Sequence, residues 1–156
     1  MSRLLPVLLF ALTIAGTAVR GQGTGAAGSL LPLSPSPAQR VADRFLVSDR
    51  IPAEAEAVER RVQEALAGYA GREVPDVEIE CRSNICKLTL AVDPSDSAMS
   101  ELWDGKDSSL LQPWEKSARS DLALQAGFDA VTSLKFAFSE ESQTLVMFLY
   151  RSDSLD

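Results

Sequence analysis

No histidine occurs anywhere in the chain, and cysteine occurs only twice. The first absence removes the Ser-His-Asp and Cys-His nucleophilic systems together with every imidazole metal ligand, so the commonest general base is missing. Two thiols without an imidazole make a poor zinc site, since zinc takes four ligands and nothing in the sequence gathers carboxylates to complete the set. No G-x-S-x-G, phosphate-loop, H-E-x-x-H or calcium-loop pattern is present. Positive charge is also scarce: Lys plus Arg total 15 against 22 Asp plus Glu, for a net charge of -7. That balance disfavours nucleic acid and anionic lipid as partners. The expectation is a non-enzymatic chain with no cofactor and no metal.

What is present centres on Val74 to Val92, VPDVEIECRSNICKLTLAV. Placing Cys81 opposite Cys86 sets Glu80 against Lys87, Ile79 against Leu88, Glu78 against Thr89 and Val77 against Leu90. In that register Val77, Ile79, Cys81, Cys86, Leu88, Leu90 and Val92 share one face, while Glu78, Glu80, Lys87 and Thr89 share the other. One face is apolar and the other polar, as a hairpin lying on a core requires. Arg82, Ser83, Asn84 and Ile85 are expected to form its loop. Directly opposed residues in a non-hydrogen-bonded pair approach to about 4.5 Å between Cα atoms, which a disulfide can span. A structural disulfide between Cys81 and Cys86 is the expectation, and a redox-active dithiol is the alternative, although the Cys-x-x-Cys spacing of such pairs is absent.

Written as it stands, Glu80-Cys81-Arg82-Ser83-Asn84-Ile85-Cys86-Lys87-Leu88 resembles the E-C-R-(three residues)-C-(basic)-(apolar) segment of small exported bacterial domains of uncharacterised function. In those domains the segment follows a helix and a strand rich in Val and Glu. The resemblance spans Pro52 to Val92, and it implies no activity for individual residues.

Ahead of the hairpin, Met1-Ser2-Arg3 is a short basic start, Leu4 to Ala15 an apolar stretch, and Ala15-Gly16-Thr17-Ala18 a run of small residues. This is the pattern of a secretory signal peptide over 1–21, cleaved after Ala18 or Gly21. The apolar stretch is shorter than the ~20 residues of a membrane span. Losing Arg3 and Arg20 with a leader cleaved after Gly21, which holds no acid, takes the net charge from -7 to -9. Residues 22–37 are rich in Gly, Ser and Pro and are expected to be a disordered linker. The G-x-G-x-x-G match at Gly23 to Gly28 lies in that linker and lacks the strand and helix a dinucleotide site needs.

A single domain follows over 38–156. Ala38 to Leu46 suits one or two helical turns with Val41, Phe45 and Leu46 on a common side. Pro52 to Ala70 is a firmer helix, started by Pro52, ended by Gly71, and striped by Ala55, Val58, Val62, Leu66 and Tyr69. Ser97 to Trp103 suggests a short helix, and Pro113 suggests another from near Gln112 to Ala126, with Trp114, Ala118 and Leu122 in step. Trp103 and Trp114 are expected to pack in the core or to line the joint between these helices. Strands are expected over Val131 to Phe138 and Thr144 to Arg151. The last is apolar on both faces and therefore belongs in the middle of the sheet.

The fold expected is α+β, a four-stranded antiparallel sheet of two hairpins with helices packed on one face. Export, acidity and the missing catalytic groups point to a periplasmic or secreted protein-binding module whose partner is another envelope protein. Two alternatives are kept: thiol-disulfide exchange at Cys81 and Cys86, and a carboxylate-dependent hydrolase, although Glu78 and Glu80 lie on the polar face of the hairpin with nothing to desolvate them.

Overall fold

The computed structural model describes residues 34–155, apart from Glu73, Pro75, Pro94, Pro113, Glu115 and 138–142. The expected signal peptide, most of the expected linker, and Phe138 lie outside the described residues. The linker's last residues open the first helix, α1 (Pro37–Val47): the Ser36 side chain accepts a hydrogen bond from the Gln39 N–H, and Pro37 takes the first helical position. Ala38, Val41 and Phe45 are buried along its inner side. Leu46 is 68% exposed rather than aligned with them, because one residue beyond Phe45 turns about 100° around the axis.

The second helix, α2 (Pro52–Ala70), has the expected bounds and ends at Gly71, whose φ of 65° is the left-handed conformation glycine tolerates. Ala55, Val62 and Leu66 are buried on its stripe, with Val58 and Tyr69 at the margin. The hairpin follows as β1 (Val77–Arg82) and β2 (Ile85–Val92), in the expected register with Cys81 opposite Cys86. The pairing continues one step further than the sequence suggested. Arg82 faces Ile85, so the turn is Ser83-Asn84 alone rather than four residues. Two-residue turns match strand twist when the first central residue has positive φ, and Ser83 adopts +46°. Ile85 is thereby freed from the loop and buried.

Asp96 caps α3 (Ser97–Asp104), accepting from the Ala98 and Met99 N–H groups. The fourth helix, α4 (Ala118–Ala126), begins six residues later than Gln112, because the Ser117 hydroxyl caps it by accepting from the Ser120 N–H. Trp114 therefore precedes the helix and is 74% exposed, not in the core; Trp103 is half-buried, with the Lys135 ammonium 5.1 Å from its ring centre. Two strands, β3 (Ala130–Ala137) and β4 (Gln143–Tyr150), complete the sheet, and a 3-10 turn over Ser152–Leu155 follows.

The strand order is β1-β2-β4-β3, all antiparallel, so the doubly apolar β4 is central as its composition requires. Leu145, Met147 and Leu149 join the disulfide, Leu88, Leu90 and Val131 on the inner face, under α2, α3 and α4. Phe148 and Tyr150 point the other way, to Val41, Phe45, Ile85 and Ala130. Helix α1 thus lies on the outer face, opposite the other three, and the apolar residues of β4 on that side are what it covers.

Closing so short a loop with a disulfide stabilises by about 2 kcal/mol on the chain-entropy estimate. The Cys81→Ala/Cys86→Ala double variant should lose about that much in denaturant unfolding while keeping one cooperative transition; an unchanged midpoint would show the bridge to be dispensable to the fold.

Candidate functional site

Both sulfurs of the Cys81–Cys86 bridge are buried, with residue exposures of 1% and 0%, and the Cα atoms stand 4.1 Å apart. The short spacing is that of a non-hydrogen-bonded pair, and the Cys81 N–H accordingly points away from β2. It donates instead to Glu59 Oε1 on α2, at 2.9 Å, and Arg50 holds the same carboxylate at 3.2 Å. A disulfide is consistent with an oxidising compartment.

The opposite edge of the sheet is closed in a related way. Ser108 bridges Val131 through two backbone hydrogen bonds of 3.0 Å, and the Ser133 N–H donates to Asp107 Oδ2 at 3.1 Å. Asp107 is paired with Arg119, a side chain 2% exposed. Arg119 Nε donates to the Leu102 carbonyl at 2.7 Å, Nη2 to the Trp103 carbonyl at 2.6 Å and Nη1 to Ser133 Oγ at 2.7 Å. One guanidinium thus satisfies last-turn carbonyls of α3 and ties that helix to β3. Gly105 makes room for it: a Cβ there would lie 2.8 Å from Arg119 Cγ. Sequence reading did not single out Arg119, yet a signal existed. Positions 119, 122, 123 and 126 form the buried stripe of α4, and an arginine in an apolar stripe implies a buried set of acceptors.

Across the outer face, the strand registers align side chains in rows. The rows Arg82, Ile85, Tyr150, Ala130 and Glu80, Lys87, Phe148, Thr132 lie at the end where α1 packs. Phe45 is the contact: its ring meets Phe148 edge-on at 6.0 Å, with the Arg82 guanidinium 4.9 Å and the Lys87 ammonium 5.4 Å from its centre. Glu80 holds both cations, Arg82 at 2.7 Å and Lys87 at 3.2 Å. Burial works to raise the Glu80 carboxyl, but hydrogen bonds from Arg82 and Lys87, and their charges, outweigh it and hold the group below the usual carboxylate range. In the next row Glu78 is exposed, Thr89 is half-buried, and Val146 and Leu134 are half-buried against the Phe45 cluster, while Ala91 and Phe136 beyond it are exposed. The outer face is therefore open at its far end, around Ala91 and Phe136.

Elsewhere, a shallow groove of about 450 Å³ runs between Ser36–Ala38 and the Thr132–Leu134 stretch of β3. Another of about 200 Å³ lies among Lys106, Lys116, Ser117 and Ser120. Tyr69, desolvated and donating to Glu101 at 2.6 Å, is pushed well above the usual phenol range. Among the described residues no three Cys, Asp or Glu side chains gather as a metal site, and no helix is long and apolar enough to cross a membrane. Compared with known proteins, the chain matches no family model, no curated protein and no solved structure.

Arg119→Met should cost about 3 kcal/mol or more in denaturant unfolding, since it strands buried carbonyls as well as Asp107; Asp107→Asn, which keeps an acceptor for Ser133, should cost less. Glu80 supplies a pH test. Its folded pKa is depressed, so its contribution is present above the unfolded value of about 4.3 and fades as pH falls through the lower folded value. The stability gap between the native chain and Glu80→Gln should hold steady at neutral pH and close in acid, as read from thermal unfolding across pH.

Proposed function

We propose that this protein is an exported, non-catalytic protein-binding module of the cell envelope, acting as an adaptor, assembly factor or inhibitor. The observation that carries this reading is the far end of the outer sheet face, where Ala91 and Phe136 are exposed beyond Val146 and Leu134, which are half-buried at the margin of the α1 cluster. Leu46, Val47 and Ile51, between 52% and 73% exposed, add apolar surface at the far end of α1. Exposed apolar area of this kind on a small domain marks a contact surface. The basic start, apolar stretch and small residues of 1–21 support export, and the disulfide fits the compartment it leads to.

Burial of both sulfurs weighs against a thiol-disulfide role, because exchange requires a thiolate to reach one of them in line. A carboxylate hydrolase finds little support either: Glu78 is exposed, and Glu80 is committed to Arg82 and Lys87, so neither sits as a desolvated acid would.

The test uses the full chain as bait in an extract of the producing cell's envelope, beside an Ala91→Arg/Thr89→Arg variant with unchanged unfolding midpoint. A partner held by the native chain and lost by the variant is the expected result; a partner held equally by both would remove the sheet face from the function.

A further inference from the structure

The two long edges of the sheet are not equally closed. At β3, the backbone of Ser108 pairs with Val131 and Asp107 takes the Ser133 N–H, so successive outward positions are occupied. At β1, the Cys81 N–H points outward to Glu59. Outward positions recur every second residue along a strand, so Ile79 and Val77 also turn their N–H and C=O groups away from β2. Among the described residues neither makes a hydrogen bond on that side. Such an edge is a template for another strand unless something covers it.

The side chains along this edge specify what would fit. Val77 and Ile79 are half-buried at the rim of the inner core, while Glu78 between them is exposed on the outer face. Glu80 is neutralised by Arg82 and Lys87, whereas Glu78 has no ion pair among the described residues. The disulfide holds β1 to β2 just beyond, so the edge is ordered before anything binds, which lowers the cost of pairing with it.

We infer that the free edge of β1 accepts one extended segment of a protein partner, with apolar side chains opposite Val77 and Ile79 and a lysine or arginine opposite Glu78. This rests on the protein-binding reading and gives it a place and a chemistry. Strand addition of this type draws affinity from main-chain hydrogen bonds and specificity from alternate side chains. A second copy of this chain is the wrong occupant. Antiparallel pairing of two β1 edges about Glu78 sets the two carboxylates opposite each other, and a net charge of -7 on each copy adds to the repulsion.

The test takes the full, disulfide-bonded chain and a blocked peptide of sequence Ser-Thr-Val-Lys-Val-Thr-Ser, beside the same peptide with Glu for Lys. Backbone amide shifts and hydrogen exchange are read residue by residue. The Lys peptide should slow exchange at the Val77 and Ile79 amides, and the Glu peptide should not. Glu78→Lys should weaken the Lys peptide about tenfold and reverse the preference. Methylating the peptide nitrogens that face β1 should abolish the effect. Shifts confined to Thr89, Val146 and Leu134, with Val77 and Ile79 unmoved, would overturn the edge site and leave protein binding by the open face standing. No shift with either peptide would overturn the edge site, and the envelope-extract experiment then decides the binding reading separately. Dimerisation of the free chain through β1 would also overturn it.

Discussion

Cys81 and Cys86 face each other across β1 and β2 and are covalently joined, and that pairing fixes which side chain lies on which side of the sheet. In a strand a slip of one residue exchanges the two faces. Here it would turn Val77, Ile79 and the sulfurs out of the core and put Glu78 and Glu80 in. The cluster around Phe45, the half-covered row from Glu78 to Leu134 and the outward edge of β1 all follow from this one register. The covalent link adds about 2 kcal/mol on the chain-entropy estimate, but its larger consequence is positional.

Edges pose the second constraint, since an open four-stranded sheet has two. Each is closed near one end by a carboxylate that an arginine holds: Glu59 by Arg50 at Cys81, and Asp107 by Arg119 at Ser133. The two differ in depth. Arg50 and Glu59 sit partly in solvent, where an ion pair contributes little beyond its geometry. Arg119 is enclosed and makes hydrogen bonds to two helix-end carbonyls, so its removal leaves polar groups without water or partner. The β3 closure is therefore structural, while at β1, among the described residues, a side chain meets the outward backbone only at Cys81.

The hairpin register, the bounds of α2, the central place of β4 and the disulfide were legible because each rests on periodicity or on one pairing rule. Turn length was not: a two-residue turn demands positive φ, and Ser83 carries no glycine-like signal for it. Pro113 suggested a helix start, but the Ser117 hydroxyl provides a real cap and the helix begins there. The outer-face position of α1 escaped because Glu80, Arg82 and Lys87 look like a solvated surface; their role in flanking Phe45 exists only once the chain folds back. Glu59 and Asp107 are ordinary surface acids by composition. Their partners, Cys81 and Ser133, are 22 and 26 residues away in the chain, beyond what local pattern can connect.

The most direct measurement is the set of Hα–Hα nuclear Overhauser contacts between β1 and β2 in the oxidised protein. Non-hydrogen-bonded pairs bring α-protons close enough to give the strongest such contacts. Strong contacts between Ile79 and Leu88 and between Val77 and Leu90 are the expected result. Contacts displaced by one residue, such as Glu78 or Glu80 with Leu88, would contradict the register and with it the placement of the open face and the free edge.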